Sequence, residues 1–306
     1  LRIYGYNNVE IPTELKSSLT IAEEADKNYH RENIIGEQLV GAGFSEIMNN
    51  SLTKSSYYEE TGLNAYPWEE TVKVMNPLSA DLGVMRQTLL FGGLESIVRN
   101  VNRKAQNLRF FEVGNVYKFN KEKWSEESPV KAYSQDYHMA LWVTGKRVQG
   151  SWAHPDEEST FYELKAYVEN ILRRIGIAQG LLVSEKSDNN VFDKAIVLKT
   201  RAGKVLVEMG ILSHKLLKSF NIDQKVYYAE LDWAGLMKAI RKNKLQFQEI
   251  SKYPAVSRDL ALLVDNNVEF AQIEEIARQA DKKLLKRVEL FDVYQGKNLP
   301  EGKKSY

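Results

Sequence analysis

The sequence predicts an α+β fold, a large core in which helices accompany β-hairpins, followed by a smaller β-α-β unit. Three observations carry this. Apolar residues recur at helical spacing in two long stretches, Ile35, Leu39 and Ala42 in the first and Leu164, Val168, Ile171, Leu172 and Ile175 in the second. Two runs rich in aromatic and β-branched residues, 108–120 and 195–212, each contain a glycine turn signal and read as hairpins. The composition then shifts at the basic link Arg241-Lys242-Asn243-Lys244 and the breaker Tyr253-Pro254, which places a domain boundary near residue 245.

In chain order, residues 1–25 are aromatic and Asn-rich, contain Pro12, and read as the tail of a preceding unit and a linker. A helix is predicted from Asp26 to Ala42, with Gly41 and Gly43 as its stop, and a strand over 44–53. A second strand, Val72 to Met75, ends at Asn76-Pro77, because proline disfavours helical geometry in the residue before it. The stretch 85–105 is a helical pattern loosened by Gly92-Gly93, and the run 108–120 a hairpin turning at Gly114-Asn115. Residues 121–136 are a polar loop, 137–144 a strand, and 161–175 a strongly amphipathic helix. Two strands, 195–200 and 204–212, flank the turn Arg201-Ala202-Gly203. A short helix over 213–220, a strand over 225–233 and a helix over 234–240 complete the core. Beyond the boundary a strand at 259–265, a helix at 270–285 and a strand at 288–295 form β-α-β, the first half of a ferredoxin-like module. With Leu1 in place of Met and no second half to that module, the sequence reads as a piece of a longer protein.

The composition excludes several classes of function. Hydrophobic residues at 43% and charged residues at 27% are ordinary for a folded protein, and 42 basic against 41 acidic residues leave no global signal for nucleic acid or a membrane surface. The absence of cysteine removes disulfides, thiolate metal sites and cysteine nucleophiles together. No apolar run approaches the ~18–20 residues of a membrane span. Gly41-Ala42-Gly43 ends a helix instead of opening one, with Glu46 where a dinucleotide fingerprint needs glycine, and Ser151 replaces the lysine of a phosphate loop after Gly145 to Gly150. His30, His138, His154 and His214 lie far apart, without a second ligand at metal spacing, and read as surface or packing residues. Two stretches carry local positive charge. Arg99, Arg103, Lys104 and Arg109 face no acid, whereas Arg241, Lys242, Lys244, Lys252 and Arg258 face only Glu249. Both fit solvated faces, but the second has Tyr253, Phe291 and Tyr294 nearby, the mixture of cations and aromatic rings that suits single-stranded RNA.

Several strings together resemble one family, the β subunits of bacterial phenylalanine–tRNA ligase. They are Arg2-Ile3-Tyr4-Gly5-Tyr6-Asn7-Asn8, Asn76-Pro77-Leu78-Ser79, Val84-Met85-Arg86-Gln87-Thr88-Leu89-Leu90, and Phe111-Glu112-Val113-Gly114-Asn115-Val116-Tyr117. Two more, Ser251 to Leu260 and Phe291-Asp292-Val293-Tyr294-Gln295-Gly296, resemble the family's ferredoxin-fold anticodon-binding domain. The resemblance implies three parts: 1–25, the tail of a small helical domain; 26–244, a class II synthetase-like antiparallel sheet with flanking helices; and 245–306, the first half of the anticodon-binding domain. It also implies a site without chemistry. Lys118 stands where the catalytic fold has the arginine for the ATP α-phosphate, Asn120 where it has an acid, and the glycine-rich third motif is missing. No catalytic, cofactor or metal residue is therefore expected in this piece, while ATP and magnesium are expected for the whole enzyme.

What the resemblance leaves to the chain is scaffolding. The first helix carries Ile35, Leu39 and Ala42, either as core or as the subunit interface with a catalytic α subunit in an α₂β₂ heterotetramer. In the terminal module Lys252 and Arg258 are expected to contact tRNA phosphates, with Tyr253 and Tyr294 stacking on bases, while strand alternation favours Phe291 as core. A cytoplasmic protein with neither membrane nor DNA as partner is expected. Two rivals remain: a self-contained class II synthetase paralogue that adenylates a small acid, and an independent RNA-binding module.

Overall fold

A computed structural model of the chain describes residues 2–11, 14, 23–177, 180–241, 247, 249, 252–281, 283–296 and 298–306. The chain divides into two compact units, Leu1–Lys244 and Leu245–Tyr306. The first unit opens with helix α1 (Glu24–Gly41), begun by a reciprocal cap between Glu23 and Asp26, then strands β1 (Ser45–Glu46) and β2 (Leu52–Thr53) and the single turn α2 (Ser56–Glu59). Strand β3 (Val84–Met85), helix α3 (Leu90–Val101) and the long strands β4 (Leu108–Phe119) and β5 (Tyr133–Thr144) follow. Next come the small pair β6 (Lys146–Val148) and β7 (Glu157–Glu158), helix α4 (Phe161–Ile175), and strands β8 (Leu182–Ser187), β9 (Phe192–Thr200) and β10 (Val205–Leu212). Helix α5 (His214–Ser219), strand β11 (Val226–Asp232) and helix α6 (Trp233–Ile240) close the unit.

Seven strands form one sheet in the order β1-β4-β5-β11-β10-β9-β8, antiparallel throughout except for β1, which joins β4 in parallel. The sheet is thus mixed at one edge where a wholly antiparallel one was expected. Strand alternation sorts its side chains onto two covered faces. From β5, Met139, Leu141 and Val143 pack with α1, α4 and α6, while Ala140 and Trp142 pack with α2, α3 and α5, and all five are fully buried.

Local signals hold where they are local. Thr160 caps α4 by accepting from the Glu163 amide, Gly176 ends it at φ 92°, and the turn 201–203 joins β9 to β10, as the sequence predicts. The expected hairpin at 108–120 is instead one unbroken strand. Gly114 sits in mid-strand opposite His138, and its missing Cβ makes room for the Arg86 guanidinium, so the glycine serves a close approach and not a turn. Nor is 44–53 a single strand: the Asn50 side chain accepts from the Leu52 amide, and β1 and β2 enter different sheets. Residues 72–75 make only one bridge, Lys73 to Val84. Gly92 and Gly93 do not loosen α3 but let it lie against Asn49 and the Trp142 ring.

In the second unit, strand β12 (Leu263–Asp265) and helix α7 (Phe270–Ala280) fall within predicted elements, both shorter than expected. Its sheet is not left unpaired. Strand β13 (Lys303–Ser305) lies antiparallel to β12, and Ser305 exchanges two backbone hydrogen bonds with Tyr294, each 3.0 Å, on its other side. Of the predicted strand 288–295 only this bridge at Tyr294 forms. The Tyr306 ring meets Phe270 edge-on with centroids 6.0 Å apart.

Candidate functional site

Charged residues occupy the apolar phase of two central strands. Glu112 falls between Phe110 and Gly114 on β4, and Glu230 follows Tyr228 on β11, all on the face covered by α3. Glu112 is answered by Arg86, which follows β3: Nη1 lies 2.5 Å from Oε1, with the two side chains 8% and 2% exposed. Asn49 donates to the same carboxylate through its backbone amide at 3.2 Å and Nδ2 at 2.6 Å, and Arg86 Nε donates to the Asn115 carbonyl at 2.9 Å. The pair is therefore neutral and hydrogen-bonded, as burial demands.

Glu230 accepts from Thr88 Oγ1 at 2.6 Å and the Tyr228 hydroxyl at 2.5 Å, with His138 Nδ1 at 2.8 Å. Burial pushes the Glu230 carboxyl up, but the hydrogen bond and charge of His138 outweigh it and hold the group below the usual range. For His138 burial works against the charge, and the Glu230 hydrogen bond and carboxylate overcome it, so the imidazole lies above its ordinary value. A cleft of about 250 Å³ opens beside these groups, with Arg86, Asn49 and Thr88 in its lining and Glu95 and Arg99 among its other walls. Glu95 accepts from the Tyr57 hydroxyl at 2.5 Å.

The charged and polar groups of this region are engaged within the chain. Among the described residues Arg86 is the only buried arginine, and it is bound to Glu112. Lys118 Nζ lies 3.3 Å from Glu70 Oε2, and Asn120 caps the turn after β4 by accepting from the Glu122 amide. No group of three or more His, Asp or Glu that could hold a metal ion occurs among the described residues. Sequence reasoning missed Arg86, Glu112 and Glu230 as a site and read His138 as a surface or packing residue. The available signal was a carboxylate recurring where strand alternation calls for an apolar side chain.

The first helix resolves its open alternative. Ile35 and Leu39 are 0% and 1% exposed and pack against Phe111, Leu164 and Val168, with half-buried Ala42 beside the same core. A side chain enclosed by its own chain has no surface left for a partner, so the interface assignment of Ile35 and Leu39 is corrected to core. In the second unit Lys252, Tyr253 and Arg258 are exposed on the stretch before β12, and Tyr294 is 43% exposed opposite Ser305. Phe291 is 79% exposed and not core, because residues 288–293 form no strand and alternation does not apply to them. Of the basic link, Lys242 and Lys244 lie outside the described residues, as do Pro12 and Ser251.

Known proteins match this sequence over its whole length. The chain resembles in fold the crystal structure of pyrrolysyl-tRNA synthetase from Desulfitobacterium hafniense, with a TM-score of 0.50 at 14% identity over 70% of this chain and 69% of that one. Residues 251–306 match the model of the ferredoxin-fold anticodon binding domain. The phenylalanine–tRNA ligase β subunit of Bacteroides thetaiotaomicron is 59% identical over 306 residues, and that of Porphyromonas gingivalis 50%, each covering 100% of this chain. The chain spans 37% of the length of these curated relatives. Residues 11–233 match the model of the phenylalanyl tRNA synthetase beta chain CLM domain, and with more than half of the sequence inside that match, the chain belongs to the phenylalanine–tRNA ligase β-subunit family.

Proposed function

We propose that the chain is a non-catalytic portion of a phenylalanine–tRNA ligase β subunit, whose whole enzyme joins phenylalanine to its tRNA with ATP and magnesium in the cytoplasm. In this reading residues 26–244 are a class II synthetase-like scaffold for the catalytic α subunit in an α₂β₂ assembly. Residues 245–306 contribute to binding the tRNA anticodon. The observation that carries the scaffold role is the buried Arg86–Glu112 pair. Amino-acid activation needs a free arginine for the ATP α-phosphate. Drawing Arg86 away would leave Glu112 buried and unpaired, at a cost of about 3–5 kcal/mol. Lys118 supplies a point charge without the bidentate fork, and Glu70 already engages it. The fold is thereby kept for its shape.

With Ile35 and Leu39 enclosed, the surface of α1 offered to an α subunit carries Tyr29 and Val40, 67% and 58% exposed. The tRNA contacts proposed are Lys252 and Arg258 on phosphates and Tyr253 and Tyr294 on bases, which their exposure permits. Co-purification of the chain with the α subunit tests the scaffold role. Pyrophosphate exchange by the chain without α would instead establish a self-contained adenylating enzyme. For the terminal unit, Arg258→Ala in the full-length β subunit assembled with α is expected to weaken tRNA binding and flatten its salt dependence. Unchanged affinity across several salt concentrations would remove Arg258 from the interface.

A further inference from the structure

The acid-free run 99–109 splits in the folded chain. Arg109 leaves it, because its guanidinium binds Glu163 of α4 on the opposite face of the sheet, with Nη2 3.1 Å from Oε1. Arg99, Arg103 and Lys104 remain exposed at the C-terminal end of α3. A second basic group stands beside them. Gln224 Nε2 donates to the Gln106 carbonyl at 2.9 Å just past α3, and Phe220 lines one cleft together with Val98 and Arg99 near the end of that helix. These contacts bring the segment carrying Lys215, Lys218 and Lys225, all exposed, against the end of α3. None of these six cations forms an ion pair with a described residue, and Asp223 is the one acid in the two segments 99–106 and 214–225.

Helix macrodipoles account for part of this charge, since Arg99 and Lys218 lie in last turns. They do not account for Lys104. That residue holds φ 70° as the left-handed cap of α3, where Lys104 N donates to Val101 O at 2.9 Å and Ala105 N to Asn100 O at 3.1 Å. Glycine takes that conformation freely, whereas a lysine is strained in it. The chain thus tolerates backbone strain and places a cation among cations, in a cluster whose own charges repel.

We infer that this face, formed by the ends of α3 and α5, is a second phosphate-contact surface for tRNA, separate from the anticodon-binding unit. The inference rests on the tRNA-binding reading above and extends it to the core. Unpaired cations on flexible stems, with no aromatic ring exposed among the six, suit a ribose–phosphate backbone and carry no base readout. Such contacts hold the RNA in position. They show themselves as salt dependence, with a slope of about 0.7–0.9 per phosphate neutralised.

The test uses the full-length β subunit assembled with α and compares tRNA binding across a salt series for the wild type, R103Q/K104G, R258A and a K165Q control. Lys165 is an exposed cation already paired with Glu169, and its substitution is expected to change nothing. Lys104→Gly removes the charge while relieving the backbone, so a lost fold cannot explain lost binding, and a urea midpoint that holds or rises verifies this. R103Q/K104G is expected to bind more weakly at every salt and to flatten the slope by about one to two. An unchanged slope in R103Q/K104G beside a weakened R258A overturns this inference and leaves the anticodon role standing. Loss of α-subunit assembly with an unchanged slope also overturns it, since the face is then a protein contact. Failure of the wild-type assembly to bind tRNA overturns both.

Discussion

His138 and Glu230 show how one buried pair sets a pH window. Because His138 is held above its ordinary value, its contribution to stability is complete below about pH 6.5 and is lost as pH rises through its higher folded value. Glu230 is held below its ordinary value, so its contribution is present above the usual carboxylate range and lost as pH falls through the depressed one. Stability should therefore peak between the two. His138→Gln is expected to flatten the alkaline limb of a urea-midpoint profile, and a profile parallel to wild type would show that the pair is not coupled. The Arg86–Glu112 pair behaves differently, because its value lies in mutual compensation. Arg86→Gln should cost about 3–5 kcal/mol, whereas replacing both residues by methionine should restore much of that loss. Equal losses in the single and double variants, read by chemical denaturation, would argue against this.

Helix glycines separate by what lies above them. Gly36 of α1 has only the Phe111 ring at an ordinary 3.8 Å from where a Cβ would stand, so Gly36→Ala should raise stability by up to ~1 kcal/mol through helix propensity. Gly93 of α3 has the Trp142 ring in that space, so Gly93→Ala should lower it by about 1–3 kcal/mol despite the same propensity gain. Urea midpoints of the two variants moving in the same direction would contradict the packing argument. This contrast also explains what was legible at the scale of elements. Helix α4 was readable at both ends because its signals, Thr160 and Gly176, lie within it. Strand β4 was read as a hairpin because the reason for Gly114 is Arg86, distant in sequence and adjacent only once the sheet has formed.

The two units differ in the core each can build. The first buries the large majority of its inward side chains on two sheet faces, while in the second Lys304 is the one residue classed as buried among those described. Local stability should follow. Amides of β12 and α7 are expected to exchange hydrogen well before those of β5, which should open only with global unfolding; equal protection in the two sets would refute this. Sequence alone determined the family and the boundary between a synthetase-like stretch and the stretch that matches the ferredoxin-fold anticodon binding domain, because each is written in contiguous strings. Tertiary structure alone decided the rest. It enclosed Ile35 and Leu39, paired Arg86 with Glu112, joined His138 to Glu230, and drew Lys218 and Lys225 toward Lys104. The physical reason is that burial and charge compensation are properties of neighbours in space, and in a sheet whose strand order departs from chain order those neighbours are not neighbours in sequence.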